Sequence, residues 1–181
     1  MIIMLAGRRK AGKTCFADIV TTLTGMQRVA FADILKETYS TTYDVALYNL
    51  HDPSKKEEHR AAMLRMADEI RVTDKYYFCR NLFNALDDNM DYVIDDLRTI
   101  EELEVGLKLG AIPFKVHAEV NIRKARGWVY NPEVDEHYTE TEMDLSRETF
   151  NKLGGDIIYN NTMNMDTLKK EAYIFVNKFL S

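Results

Sequence analysis

The sequence predicts an α/β fold in three layers, with a mainly parallel sheet flanked by helices on both faces. Three observations point there. Short apolar runs alternate along the chain with longer stretches of helical period. The first run ends in a glycine-containing turn that leads straight into a helical pattern. The chain has 181 residues, 46% hydrophobic and 29% charged, enough to close one core over such a sheet.

Residues 2–6 (IIMLA) form an unbroken apolar run, the pattern of a strand buried on both faces. A helix begins near Lys13, with Phe16, Ile19, Val20 and Leu23 inward, and Gly25 ends it. Residues 27–31 (QRVAF) read as a second strand, and Asp33 as the cap of a helix holding Ile34, Leu35 and Tyr39. Residues 43–52 fit no single pattern before Pro53-Ser54 punctuates them. Ser54 and Glu57 have capping-box spacing; the helix they open carries Met63, Leu64, Met66, Ala67 and Ile70. Asp74 caps a further helix, with Phe78, Leu82, Phe83 and Leu86 inward. Residues 91–95 (DYVID) read as a central strand. Leu103, Leu107 and Leu109 belong to a helix closed by Gly110, and residues 112–116 are the next strand. Residues 121–141 are polar and irregular. Residues 155–159 (GDIIY) form the last strand, and Leu168, Ala172, Phe175, Val176 and Phe179 mark the closing helix.

Composition excludes several function classes. No apolar run approaches the ~20 residues of a membrane span. The opening MIIMLAGRRKAGKT lacks the apolar core of a signal peptide. Cys15 and Cys79 form no CxxC, and two cysteines make no disulfide framework, so the expected setting is a reducing cytoplasm (a host's, for a viral chain). Net charge is −5, from 24 basic and 29 acidic residues, which argues against coating nucleic acid. A small anionic ligand remains compatible if the cations cluster. No repeat or linker interrupts the chain, so one domain over 1–181 is expected, as a monomer or homodimer.

The chemistry concentrates in Gly7-Arg8-Arg9-Lys10-Ala11-Gly12-Lys13-Thr14, which fits G-x-x-x-x-G-K-[ST] without a mismatch. Glycines let such a loop curl until its amides face phosphate oxygens, and the following helix adds positive potential at its amino end. Gly7, Arg9, Lys10, Ala11, Gly12, Lys13, Thr14 and Cys15 are the expected nucleotide contacts. Lys13 reaches the β- and γ-phosphates, and the Thr14 hydroxyl is a Mg²⁺ ligand. The loop implies a nucleoside triphosphate; alone it does not separate a kinase from a motor, a GTPase or a regulator.

Asp95 ends an apolar strand, where ligands gather in parallel sheets, and either serves Mg²⁺ or orients an acceptor. Asp96 alternatively caps the next helix. Arg98 faces the same sheet edge. Arg123, Lys124 and Arg126 form a basic cluster that suits a mobile lid over about 121–141, with Trp128 either stacking on a base or pinning that lid. By spacing alone Arg65, Arg71 and Arg80 pair on helix surfaces with Asp68, Glu69 or Asp74. His137, Glu140 and Glu142 lack the spacing of a zinc motif. The methionines fill core.

These residues carry a resemblance that covers most of the chain. It resembles small P-loop kinases related to the nucleoside monophosphate kinases, in two branches: animal-type phosphomevalonate kinase and phage deoxynucleoside monophosphate kinase. Phe78-Cys79-Arg80, R-x-x-R-G-W-V at 123–129 and P-x-V-D at 132–135 look like the first branch. The resemblance implies that Arg80 binds acceptor and that Arg123 and Arg126 are lid arginines. Three positions depart from that branch. Its D-T-R-R run reads Asp95-Asp96-Leu97-Arg98, the lysine before Arg71 is Ile70, and Thr14 replaces an aspartate. His137-x-Thr139-Glu140, the segment FADILK ending in Lys36, and Gly155-Asp156-Ile157-Ile158-x-Asn160 look like the phage branch.

The combined expectation is a three-layer P-loop kinase that moves the γ-phosphoryl of Mg·ATP to a small acceptor. Lys13, Asp95, Arg123 and Arg126 are its catalytic groups, and Thr14 and Asp95 hold the metal. Lys36, Arg65, Arg71, Arg80 and Arg98 surround the acceptor. The acceptor read first is a (deoxy)nucleoside monophosphate. The alternatives are phosphomevalonate, a hydroxymethylated pyrimidine nucleotide or base in DNA, and binding of nucleotide without transfer. DNA enters only as a modified-base substrate.

Overall fold

A computed structural model describes residues 1–180 of the protein. The chain runs β1 (Ile2–Ala6), α1 (Lys13–Thr24), β2 (Gln27–Val29), α2 (Phe31–Tyr43), α3 (Leu47–His51), α4 (Pro53–Thr73), α5 (Tyr77–Asn84) and β3 (Tyr92–Leu97). It continues through α6 (Ile100–Lys108), β4 (Ile112–His117), α7 (Val120–Ala125), α8 (Pro132–Asp135), α9 (Tyr138–Thr141), α10 (Arg147–Lys152), β5 (Ile157–Tyr159) and α11 (Met165–Phe179). The strands form one parallel sheet in the order β2-β3-β1-β4-β5.

Strand β1 lies between β3 and β4, with Ile3 level with both Val93 and Ile112. Alternation along β1 sends Ile3 and Leu5 to one face and Met4 and Ala6 to the other. The first face packs on α1 and α11 through Phe16, Val20, Leu168, Ala172 and Phe175. The Phe175 ring meets Phe114 edge-on at 4.8 Å. The second face packs on α5, α6 and α10 through Cys79, Leu82, Leu103 and Phe150. A smaller cluster of Tyr39, Leu50, Met63 and Met66 joins α2, α3 and α4 beside the sheet. Because the chain moves from one side of β1 to the other between β3 and β4, a crevice opens at the carboxyl ends of these strands.

Several local expectations shift. The second strand stops at Val29, and Phe31 already belongs to α2. Asp33 sits inside the first turn because Asp96, from β3, does the capping: its carboxylate accepts from the amides of Phe31 and Ala32, both at 2.8 Å. Asp96 therefore does not cap α6. Thr99 does, in a capping box with Glu102. Asp52 rather than Ser54 caps α4, and Asp74 ends α4 instead of starting α5. The ambiguous stretch before residue 52 contains α3, and the segment read as irregular holds α7, α8 and α9. Leu23 points to solvent.

Gly155 leads into β5 where its backbone crosses Pro113 of β4. A Cβ there would collide with the Pro113 carbonyl. Gly155→Ala is therefore expected to destabilise the fold by about 2 kcal/mol or more, read as a lowered urea midpoint.

Candidate active site

The donor side is built by the β1–α1 connection. At Gly7 φ is 140°, and a Cβ would strike the Val116 carbonyl of β4, so only glycine starts this loop. The loop closes on itself through the Ala11 amide and the Arg8 carbonyl at 3.1 Å. Asn160, buried beyond β5, holds it from outside by donating to the Ala11 carbonyl at 2.9 Å.

The Lys13 ammonium donates to the carbonyls of Gly7 and Arg8. Desolvation by burial, opposed by Glu140, lowers its pKa to about 8. No carboxylate pairs with it among the described residues, so this half-buried ammonium is held at the loop by carbonyl oxygens, and a phosphate oxygen is a stronger partner than these. Thr14 donates its hydroxyl to Asp95 at 2.7 Å, and Asp95 also accepts from Arg28 of β2 at 3.1 Å. The Thr14 hydroxyl and the Asp95 carboxylate are hard oxygen donors of the kind Mg²⁺ takes. Cys15 is exposed beside them and lines the cleft with Lys10.

Arg123 and Arg126 both turn onto this loop. Arg126 donates to the carbonyl of Ala11 at 2.9 Å and to the Asn160 side chain at 3.0 Å. Arg123 is buried, donates to the Arg9 carbonyl at 3.4 Å and stacks on Trp128 at 4.3 Å. Trp128 donates to Asp135 at 2.9 Å, which fixes its ring against Arg123. Arg9 pairs with Glu57 of α4 and Asp135 of α8, at 2.9 and 3.1 Å.

The acceptor side is built on α2, α4 and the end of β3. A cleft of about 610 Å³ runs from Lys13 and Thr14 past Asp96 and Arg98 to Lys36, Lys56 and Arg60. A recess behind it is lined by Phe31, Leu35, Met63, Leu64, Ala67 and Phe78. Asp96, by capping α2, sets the position of Lys36 one turn further on. Lys36 pairs with Asp33 at 2.6 Å. Arg98 pairs with Glu140 at 2.8 Å, and its Nε lies 3.8 Å from Asp96. Arg71, at the far end, pairs with Glu102 at 3.4 Å and reaches the Tyr138 hydroxyl at 3.2 Å. Burial, then repulsion from Asp96, pushes the Glu102 carboxyl up to about 7.

Lys56 is half-buried, and no carboxylate pairs with it among the described residues. Desolvation, then the neighbouring charges of Lys36, Arg60 and Arg98, lowers its pKa to about 8. Such mutual repulsion is relieved by an anion.

Two expected acceptor residues stand elsewhere. Arg80 points outward and pairs with Asp74, and Arg65 is exposed; neither lines the cleft. Lys36, Arg71 and Arg98 do line it or its recess. Lys56 and Arg60 do so without having been expected. Their signal was present: positions 56, 60, 63, 64 and 67 share one helical face, on which two cations continue into an apolar stripe. Asn160 ended the family-like segment at 155–160 without a role assigned to it, and Arg28 had no local signal, since it meets the site only through strand order.

With the geometry in hand, likeness to known proteins becomes informative. Residues 5–108, more than half of the chain, match the family model described as phosphomevalonate kinase. The chain belongs to that family. Phosphomevalonate kinase of Drosophila melanogaster is 24% identical over 177 residues, covering 91% of this chain and 90% of that protein. Shikimate kinase from Acinetobacter baumannii, solved with shikimate, superposes with a TM-score of 0.51 at 14% identity, covering 98% of this chain and 94% of that one. TT1252 from Thermus thermophilus gives 0.51 at 15%, covering 98% and 97%. At such identities the structural likeness shows the fold alone. Family and fold together make this chain a small P-loop kinase, a phosphotransferase.

Protonated Lys13 is the form that meets an incoming triphosphate. ATP affinity, measured without acceptor by titration calorimetry, should stay flat below pH 8. It should weaken as pH rises through about 8, where Lys13 loses its proton.

Proposed function

We propose that this kinase transfers the γ-phosphoryl group of ATP to the phosphate of a small phosphomonoester, with a nucleoside monophosphate, most naturally a deoxy one, as acceptor. The carrying observation is the convergence of Lys36, Lys56, Arg60 and Arg98 at the cleft wall opposite Lys13, with Lys56 lacking a carboxylate among the described residues.

Two polyanions must approach within bonding distance, and cations on both sides cancel their repulsion. Lys13 and the loop amides hold the β- and γ-phosphates. The acceptor phosphate lies against Lys56, Lys36, Arg60 and Arg98. Its oxygen is already ionised near neutral pH, so no general base is required. That oxygen bonds to the γ-phosphorus as the bond to the β-bridging oxygen breaks, and ADP leaves with the electron pair. Thr14 and Asp95 would hold Mg²⁺, with Arg28 released from Asp95. When bound, that ion neutralises charge on the β- and γ-oxygens. Arg123 and Arg126, on the 121–141 segment acting as a lid, carry cationic charge to the moving group and exclude water.

The recess supports an uncharged body. Its lining joins apolar and aromatic side chains to the cations it shares with the cleft, and Arg71, which lines the recess and not the cleft, is already opposed by Glu102. Leu97 is buried in the core, and Arg80 is turned away. With the shared cations taken by the acceptor phosphate, a body carrying its own carboxylate would compete with Glu102 for Arg71. Mevalonate 5-phosphate is the second reading, favoured by the family match over 5–108 and by the Drosophila melanogaster relative.

The test is ATP consumption across deoxynucleoside and ribonucleoside monophosphates, mevalonate 5-phosphate and hydroxymethylated DNA, with Lys13→Ala as control. Turnover with nucleoside monophosphates is expected, giving diphosphates. Turnover with mevalonate 5-phosphate alone replaces the first reading by the second. In the active case Lys56→Ala should raise the acceptor KM about 10- to 100-fold and leave the KM for ATP nearly unchanged.

A further inference from the structure

Glu140 is a buried carboxylate of α9 that touches both halves of the cleft. One oxygen accepts from the Arg9 backbone amide of the phosphate loop at 3.0 Å. The other accepts from the Arg98 guanidinium at 2.8 Å. We infer that Glu140 is a positioning residue: it holds the donor loop in register with the acceptor arginine, so that the two phosphates meet at the correct separation. This deepens the proposed reaction and rests on Arg98 gripping a phosphorylated acceptor.

The alternative is that Glu140 fills in for a phosphate and leaves when substrate arrives. Its mounting argues against departure. His137 caps α9, accepting from the Thr139 amide, and its other ring nitrogen lies 2.9 Å from Asp68 of α4. The Tyr138 hydroxyl donates to the same Asp68 at 2.8 Å. Just beyond α9, Asp144 pairs with Arg8 of the loop and, at 3.0 Å, with Lys115 of β4. The Ile100 amide donates to Glu142 at 2.9 Å. The short helix is thus tied to α4, to the loop, to β4 and to the start of α6. Moving α9 as a body means breaking several of these ties together, so the backbone from which Glu140 reaches both partners is fixed. A rigidly supported side chain with two opposite partners sets a distance between them.

The experiment compares wild type with Glu140→Gln, which keeps the size and loses the charge, and Glu140→Asp, which keeps the charge and loses the reach. Arg98→Ala and the Glu140→Gln/Arg98→Ala double variant complete a cycle. ATP affinity at fixed pH is measured without acceptor, so this arm is independent of the acceptor's identity. Glu140→Asp, which no longer reaches the Arg9 amide, should weaken ATP binding several-fold, and Glu140→Gln, whose amide oxygen still accepts from it, should weaken it less. Steady-state kinetics with the accepted phosphomonoester form the second arm. Both single variants should lose about 10- to 100-fold in kcat/KM for the acceptor, the size of one charge-assisted hydrogen bond. Glu140→Gln should add little to Arg98→Ala, because the effect passes through Arg98.

Retention of acceptor kcat/KM within twofold in the single variants would overturn the inference. So would tighter binding of ATP and acceptor with kcat preserved, the mark of a displaced stand-in. Full additivity in the cycle would do the same. Should wild type phosphorylate no phosphomonoester, the reaction proposed above fails, while the ATP-affinity arm still decides whether Glu140 acts on the loop. A variant recovered only as unfolded protein is replaced in each arm by its partner, Asp for Gln or the reverse.

Discussion

Two adjacent carboxylates at the end of β3 hold the halves of the cleft together. Asp95 and Asp96 are both buried, and strand alternation sends them apart. Asp95 meets Thr14 at the start of α1 and Arg28 on β2. Asp96 meets the first two amides of α2. One strand end therefore fixes the helix that follows the phosphate loop and the helix that carries Lys36. Neither carboxylate is left without donors, which is the condition for burying such groups side by side. A free loop could not set this spacing as tightly: β3 is paired with β2 over Tyr92–Ile94, just before the two carboxylates, and with β1 up to Leu97.

The charge distribution follows from the same arrangement. The chain is net acidic, yet its crevice collects Lys13, Lys36, Lys56, Arg60 and Arg98. Most of these cations have a carboxylate opposite: Asp33 for Lys36, Glu57 for Arg60, Glu140 for Arg98. Lys13 and Lys56 are the exceptions among the described residues: Lys13 donates to carbonyls of the loop, and Lys56 lies among Lys36, Arg60 and Arg98. Burial penalises both as charged groups. Two anionic groups in the cleft would offset these penalties, which is what the proposed reaction brings to it.

Much of this was legible in the sequence. The phosphate loop was readable because its mechanism is local: glycine, lysine and threonine act within eight residues, between a strand and a helix. The buried strand run, the strand-end aspartate and the basic cluster of Arg123 and Arg126, which the structure brings onto the loop, were legible for the same reason. Legibility failed where partners come from distant segments. Asp33 looks like a cap, but Asp96, far away in sequence, takes that part. Arg80 carries a family-like local motif, yet Asp74 draws it to the surface. Residues 121–141 looked irregular because their three helices are only four to six residues long, too short to show a period. Lys56 and Arg60 did show one, but it emerges only when cations are counted along with apolar residues on the face of α4.

The proposed acceptor rests on how the cations of the recess are distributed: Lys36, Lys56, Arg60 and Arg98 also line the cleft, and Arg71 does not. A phosphomonoester whose body bears a second negative charge needs a counter-charge at each end. Here the near end is rich in cations, and the far end has one arginine, opposed by Glu102 and covered by the Phe78 ring at 4.8 Å. Burial and Asp96 already make the ionised form of Glu102 costly, so Arg71 is the charge that keeps it bearable. Drawing Arg71 away to a substrate carboxylate would leave Glu102 buried with only the amides of Arg98 and Thr99. An uncharged, flat body makes no such demand, and it gains from the aromatic and aliphatic walls around it. Membership of the family makes this a kinase cleft, and the local charge balance is what supports the proposed uncharged body on the acceptor.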